Sequence, residues 1–154
     1  MKFYYPMLIP MPTNGFESWD EVALLVSQFE SGELPQARWT HREHLTVALW
    51  YVSRLEEAAA LDRIREGILF LNGCHGTPNT DTRGYHETLT RFWIGIVAKF
   101  LRERGEGRSD LELANELVEA YMCRSGLWRE YYSFDLLKSV ESRLGWIEPD
   151  VGAS

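Results

Sequence analysis

Three helix-capping signals constrain this chain more than any other feature of its sequence. In each, a Ser or Thr is followed three positions later by Glu and then by apolar residues at helical spacing. The three pairs are Ser18 with Glu21, Thr40 with Glu43, and Ser109 with Glu112. Such a pair forms a capping box, in which both side chains accept hydrogen bonds from backbone N–H groups at a helix N-terminus. The sequence therefore predicts helices that begin at these three places.

Apolar periodicity, together with glycine and proline residues that end helices, predicts the remaining elements. A third helix is predicted over 56–71, ended by Asn72 and Gly73, and a central buried helix over 82–102. Asn79, Thr80 or Asp81 is expected to cap that central helix. A last helix is predicted over 133–144, with an extended tail beyond it. No segment alternates in the manner of a β-strand, so the predicted fold class is all-α.

The predicted domain organisation is an extended arm over 1–16 followed by one helical domain over 17–154. Pro6, Pro10 and Pro12 exclude a helix from the arm. A chain of 154 residues with 45% hydrophobic and 25% charged residues is typical of one soluble globular domain. We therefore predict a single-domain bundle of about six helices.

Charge and cysteine usage exclude several classes of function. The net charge of −7, with no basic block, argues against nucleic acid and anionic membranes as partners. No apolar run reaches about 18 residues, which argues against a transmembrane helix, and the N-terminus lacks the features of a signal peptide. Cys74 and Cys123 have no C-x-x-C spacing, which is typical of a protein in a reducing cytoplasm.

Three of the four histidines lie in two short segments, 39–45 and 84–93. His41 and His44 are three positions apart, so a helix projects them from one face. The positive pole of a helix N-terminus favours neutral imidazole, which is the form that binds metals or accepts protons. With His86 from a second helix, the three are candidate ligands for zinc or iron. A carboxylate that could complete such a site is Glu30, Asp81 or Glu87.

Two alternatives to a metal-binding enzyme stay open. In the first, the protein binds a small molecule or performs acid–base chemistry without metal. His44 or His86 would then be the catalytic residue that moves a proton. The polar loop over 73–84 precedes the His86 helix, and its neighbourhood supplies candidate ligand-binding residues: Asn79, Asp81, Arg83 and Tyr85. In the second, the chain is a helical protein-interaction module, and its N-terminal arm could also form a homodimer.

Three sequence runs resemble a known family. They are WTHREHL at 39–45, NTDTRGYHETLTRFW at 79–93 and RLGWIEPD at 143–150. These runs are similar to those of a family of small bacterial all-helical proteins with no assigned activity. The resemblance spans most of the chain and implies a common helical fold and a cytoplasmic bacterial setting. It implies no reaction.

Overall fold

The computed structural model describes residues 15–152, and every regular element in that range is helical. Six α-helices follow in order: α1 (Trp19–Ser31), α2 (His41–Val52), α3 (Glu57–Cys74), α4 (Glu87–Arg104), α5 (Asp110–Tyr121) and α6 (Val140–Leu144). Short 3-10 helices occupy Gln36–Arg38, Leu127–Glu130 and Leu136–Lys138. The predicted all-α bundle is confirmed. Within the described range, no helix is long and apolar enough to cross a membrane.

All three predicted capping boxes are present, at the starts of α1, α2 and α5. At α5, the Glu112 N–H donates to the Ser109 hydroxyl (3.1 Å) and the Ser109 N–H donates to the Glu112 carboxylate (2.9 Å). Gly32 ends α1 in the left-handed conformation, with φ of 80°, which a side chain would disfavour. These local signals need no tertiary partner, so the sequence alone predicts them.

Helix α2 lies at the centre of the bundle because it packs against α1, α3, α4 and α5. Its apolar residues join the main core, where Leu45, Val47 and Leu49 are buried. A second, smaller apolar cluster lies beside α4 and holds the segment after α5 against it. Its buried members are Phe92, Leu127, Trp128, Tyr132 and Leu136. The space between α2, α3 and α4 is thus bordered by the segment 125–137 as well.

The predicted start of the fourth helix, at residue 82, is wrong. Helix α4 begins at Glu87 rather than near Thr82, and its N-cap is His86 instead of Asn79, Thr80 or Asp81. The reason lies in the preceding loop, which folds back on itself. The Asn79 side-chain oxygen accepts the Tyr85 N–H (3.0 Å), and Gly84 has a φ of 81°.

Two other predicted boundaries also need correction. Helix α3 continues through Gly73 to Cys74, and the left-handed glycine after it is Gly76, with φ of 73°. The predicted helix over 133–144 is interrupted, and only Leu136–Lys138 and Val140–Leu144 are helical. Asp135 and Ser139 each accept a hydrogen bond from a backbone N–H just ahead. Because each of these bonds caps the start of a new short helix, the segment does not form one continuous helix.

Most of the predicted N-terminal arm lies outside the described residues, which begin at Gly15. At its end, Phe16 is buried and exchanges hydrogen bonds with the Asn115 side chain of α5 (2.6 and 3.0 Å). The homodimer through this arm stays a prediction.

Candidate functional site

A cavity of about 580 Å³ lies between α2, α3 and α4. The segment after α5 also contributes to its wall, through Ser125, Gly126, Trp128, Arg129 and Leu137. Most of the lining is apolar or aromatic: Trp39, Leu45, Val47, Ala48, Ile64, Ile68, Tyr85, Leu89, Trp93, Ile94, Trp128 and Leu137. The polar side chains on the wall are His41, His44, Asn72, His86, Thr90, Ser125 and Arg129. The structure thus brings His41, His44 and His86 to one cavity.

His44 presents an unpaired nitrogen to this cavity. Its Nδ1–H donates to the Thr40 carbonyl at 2.8 Å, which places the proton on Nδ1, since a carbonyl can only accept. The ring stacks on Trp39 with centroids 3.8 Å apart. Among residues 15–152, no hydrogen bond reaches Nε2, although the side chain is exposed to the cavity that it lines. Nε2 is therefore a hydrogen-bond acceptor without a partner.

Burial lowers the pKa of His44 to about 4 and outweighs the opposing effect of the Thr40 hydrogen bond. The ring is accessible from the cavity, yet protein surrounds it at longer range, so the charged form is poorly solvated. Nearby His41 lowers the pKa further. His44 is consequently neutral near pH 7.

His41 lies one helical turn before His44 and packs edge-on against Trp93, with ring centroids 4.5 Å apart. Its Nε2 is buried and lacks a hydrogen-bond partner among the described residues. Burial lowers the pKa of His41 and outweighs the opposing effect of the Tyr121 backbone. Both histidines of α2 are thus neutral, and each has an unpaired Nε2.

His86 differs from the other two because both of its ring nitrogens are occupied. Nδ1 accepts the Leu89 N–H (3.1 Å) as the N-cap of α4, and Nε2–H donates to the Leu136 carbonyl (2.8 Å). Burial lowers the pKa of His86, which keeps this neutral form. A bond from either nitrogen to a metal would break one of these contacts. The geometry therefore favours a structural role for His86.

Of the four loop residues predicted to bind a ligand, only Tyr85 lines the cavity. Asn79 holds the loop together, since its side-chain oxygen also accepts from the Asn72 amide (2.9 Å). Asp81 and Arg83 are exposed and do not line the cavity. The sequence predicted Asn79, Asp81 and Arg83 near the site because they precede the His86 helix. In the structure, the loop turns at Gly84, and these three residues lie outside the cavity.

Two of the three candidate carboxylates, Glu87 and Glu30, are engaged in other contacts. Glu87 receives two hydrogen bonds from Arg65 (3.0 and 2.6 Å) and one from the Tyr85 hydroxyl (2.7 Å). Burial alone would raise the pKa of Glu87, but these hydrogen bonds lower it. Glu30 accepts from the Tyr51 hydroxyl and from Arg63, away from the cavity. Over residues 15–152, no group of three His, Cys, Asp or Glu side chains is placed to hold a metal ion.

Sequence reasoning missed several residues of the site: Trp39, Asn72, Trp93, Trp128 and Arg129. Trp39 and Trp93 border the histidine segments, so aromatic residues next to candidate ligands were an available signal. Trp128 and Arg129 come from a separate segment, and no spacing rule connects it to α2.

Comparisons with known proteins add no precedent. No protein-family model, curated protein or solved structure matches the chain. The cavity itself is a largely apolar, aromatic compartment, and the neutral His44 ring presents a hydrogen-bond acceptor on its wall.

Proposed function

We propose that this protein binds a small, largely apolar molecule with an aromatic ring in the cavity between α2, α3 and α4. His44 Nε2 accepts a hydrogen bond from a hydroxyl or N–H group of that molecule. The observation that carries the proposal is this unpaired nitrogen on the wall of an apolar cavity, in a ring whose tautomer Thr40 fixes.

The size and lining of the cavity support this proposal. Pockets for small molecules commonly measure roughly 300–1,000 Å³ and combine apolar walls with a few oriented polar groups. The cavity volume of about 580 Å³ falls in that range. Trp39, Trp93 and Trp128 offer ring faces and edges, against which aromatic molecules pack favourably.

The lowered pKa of His44 supports binding in preference to proton abstraction. A general base works best when its pKa lies near the operating pH. With a pKa of about 4, the neutral ring accepts a hydrogen bond but is a weak base. Acid–base catalysis by His44 is therefore less well supported than ligand binding.

A pair of matched probes tests the proposal. 2-Naphthol carries a hydroxyl donor, and 2-methoxynaphthalene has nearly the same shape without one. We expect isothermal titration at neutral pH to show saturable binding of both and a roughly fivefold preference for 2-naphthol. That preference corresponds to about 1 kcal/mol for one net hydrogen bond.

Two variants locate the binding. His44→Phe keeps an aromatic ring beside Trp39 but removes Nε2, so the preference for 2-naphthol should disappear. His75→Phe is the matched control, because His75 bonds to the Leu34 carbonyl outside the cavity (2.7 Å). If neither probe binds up to about 1 mM, or if the preference survives in His44→Phe, the proposal is wrong.

A second candidate function retains the metal predicted from the sequence. The observation that favours it is that His41 and His44, one turn apart, both have an unpaired Nε2. Catalytic zinc sites usually have three protein ligands, however, and His86 is engaged in other bonds.

Metal analysis separates the two candidates. The wild-type protein is purified without chelator and then offered zinc or ferrous iron. Retention of about one ion per chain, lost in His44→Ala with unchanged helical circular dichroism, would support the metal site. Failure to retain either ion would support metal-free binding.

A further inference from the structure

The cavity wall has an unusual charge for this chain. Among residues 15–152, no Asp or Glu lines the cavity, and Arg129 is the only lining side chain with a formal charge. The whole chain carries a net charge of −7. A protein of this charge generally repels anions, so an acid-free cavity with one guanidinium is a local exception.

Arg129 has no carboxylate partner within the part of the chain that the structure describes. Its guanidinium carbon lies 4.4 Å from the centroid of the Trp128 ring. The adjacent acid, Glu130, pairs instead with Arg124 at 3.3 Å. Arg129 is exposed, and none of the hydrogen bonds or ion pairs among residues 15–152 uses its guanidinium N–H groups. These N–H groups suit two-pronged binding of a carboxylate.

Gly126 makes room for this orientation of Arg129. Both residues line the cavity, and a Cβ atom at position 126 would lie 2.6 Å from Arg129 Nη1. Gly126 has an ordinary φ of −91°, so its backbone conformation does not require glycine. The absence of a side chain at position 126 therefore leaves the space that the Arg129 guanidinium occupies.

We propose that the molecule bound in this cavity is an organic acid, with its carboxylate on Arg129 and its apolar body among the tryptophans. This inference rests on the proposed function and narrows its ligand to an aromatic carboxylic acid. The competing interpretation is that Arg129 only covers Trp128 by a cation–π contact. The two interpretations differ in whether Arg129 distinguishes a charged ligand from a neutral one.

Titration with 2-naphthoate and its neutral methyl ester tests the inference. We expect wild-type protein to bind 2-naphthoate roughly tenfold more tightly than methyl 2-naphthoate, as for a charge-assisted hydrogen bond. Arg129→Gln should remove this preference while leaving binding of the ester unchanged. Arg124→Gln is the matched control, since Arg124 is a neighbouring arginine outside the cavity, and it should keep the preference.

Gly126→Ala provides a second, independent variant that retains the charge. The added methyl displaces the flexible end of Arg129, so the preference for 2-naphthoate should fall while the ester binds as before. Equal affinity of the wild type for acid and ester, or an unchanged preference in Arg129→Gln, would overturn this inference while the binding proposal stands. If the wild type binds none of 2-naphthoate, its methyl ester and 2-naphthol, the binding proposal and the organic-acid inference are both wrong.

Discussion

At the scale of single residues, the four histidines show how one side-chain type serves different purposes. His44 bonds through Nδ1 and leaves Nε2 unpaired, whereas His86 uses both nitrogens. The sequence indicated that histidines of two segments could meet, because helical spacing is local. It could not indicate which nitrogens would be used, since the Leu136 carbonyl that binds His86 is 50 positions away.

We expect acidification to destabilise the protein through His44. Its pKa is about 4 in the folded chain against an ordinary value of 6.5. Between these pH values the unfolded chain binds more protons, so the free energy of unfolding falls as the pH falls. The lowered pKa values of His41 and His86 act in the same direction.

Urea unfolding near pH 7 and near pH 5 measures this effect. The wild type should lose more stability between the two pH values than His44→Phe, which cannot be protonated at this position. Equal losses in the two proteins would show that His44 titrates normally in the folded state.

At the scale of helices, His86 links the start of α4 to the segment before α6 through hydrogen bonds to Leu89 and Leu136. We expect His86→Ala to lower the free energy of unfolding by about 1–3 kcal/mol, because it removes the N-cap and leaves the buried Leu136 carbonyl without that donor. His86→Asn should lose less, since Asn is a good N-cap.

The control for this prediction is Asp81→Ala. Asp81 was one of the caps expected from the sequence, but it is exposed and does not cap α4. Its substitution should change the unfolding free energy by less than about 0.5 kcal/mol. If Asp81→Ala proved as costly as His86→Ala in urea unfolding, the observed start of α4 would be wrong.

A second prediction at this scale concerns the link between α3 and α4. Glu87 is mostly buried and takes two hydrogen bonds from Arg65, so Glu87→Gln should cost about 1–3 kcal/mol. Glu103→Gln is the matched change at an exposed pair with Lys99, 4.0 Å apart, and should cost less than about 0.5 kcal/mol. Similar losses for both in urea unfolding would contradict a special role for Glu87.

The boundaries of the helices were predictable where their signals are local. The capping boxes at Ser18, Thr40 and Ser109 each use residues within one turn, so the sequence alone reveals them. The predicted start of α4 was wrong because apolar periodicity does not reveal that His86 caps the helix. The predicted start of α6 was wrong because the side chains of Asp135 and Ser139 accept backbone hydrogen bonds that interrupt the helix.

At the scale of the whole molecule, the cavity is a consequence of packing and not of any motif. Its tryptophans, Trp39, Trp93 and Trp128, come from three separate segments. An apolar residue on a buried helix face has the same pattern whether it fills the core or borders a cavity. Sequence periodicity therefore predicted the bundle and the meeting of the histidines, but not the contribution of Trp128 or Arg129 to the cavity.

The proposed function depends on a neutral His44 that offers Nε2 to a bound molecule. Nitrogen NMR of the histidine side chains, with and without saturating 2-naphthol near pH 7, tests it most directly. We expect His44 to carry its proton on Nδ1 and its Nε2 resonance to shift on binding, while the resonances of His75, which lies outside the cavity, stay in place. A charged His44, a proton on Nε2, or an unshifted Nε2 resonance with bound 2-naphthol would contradict the claim.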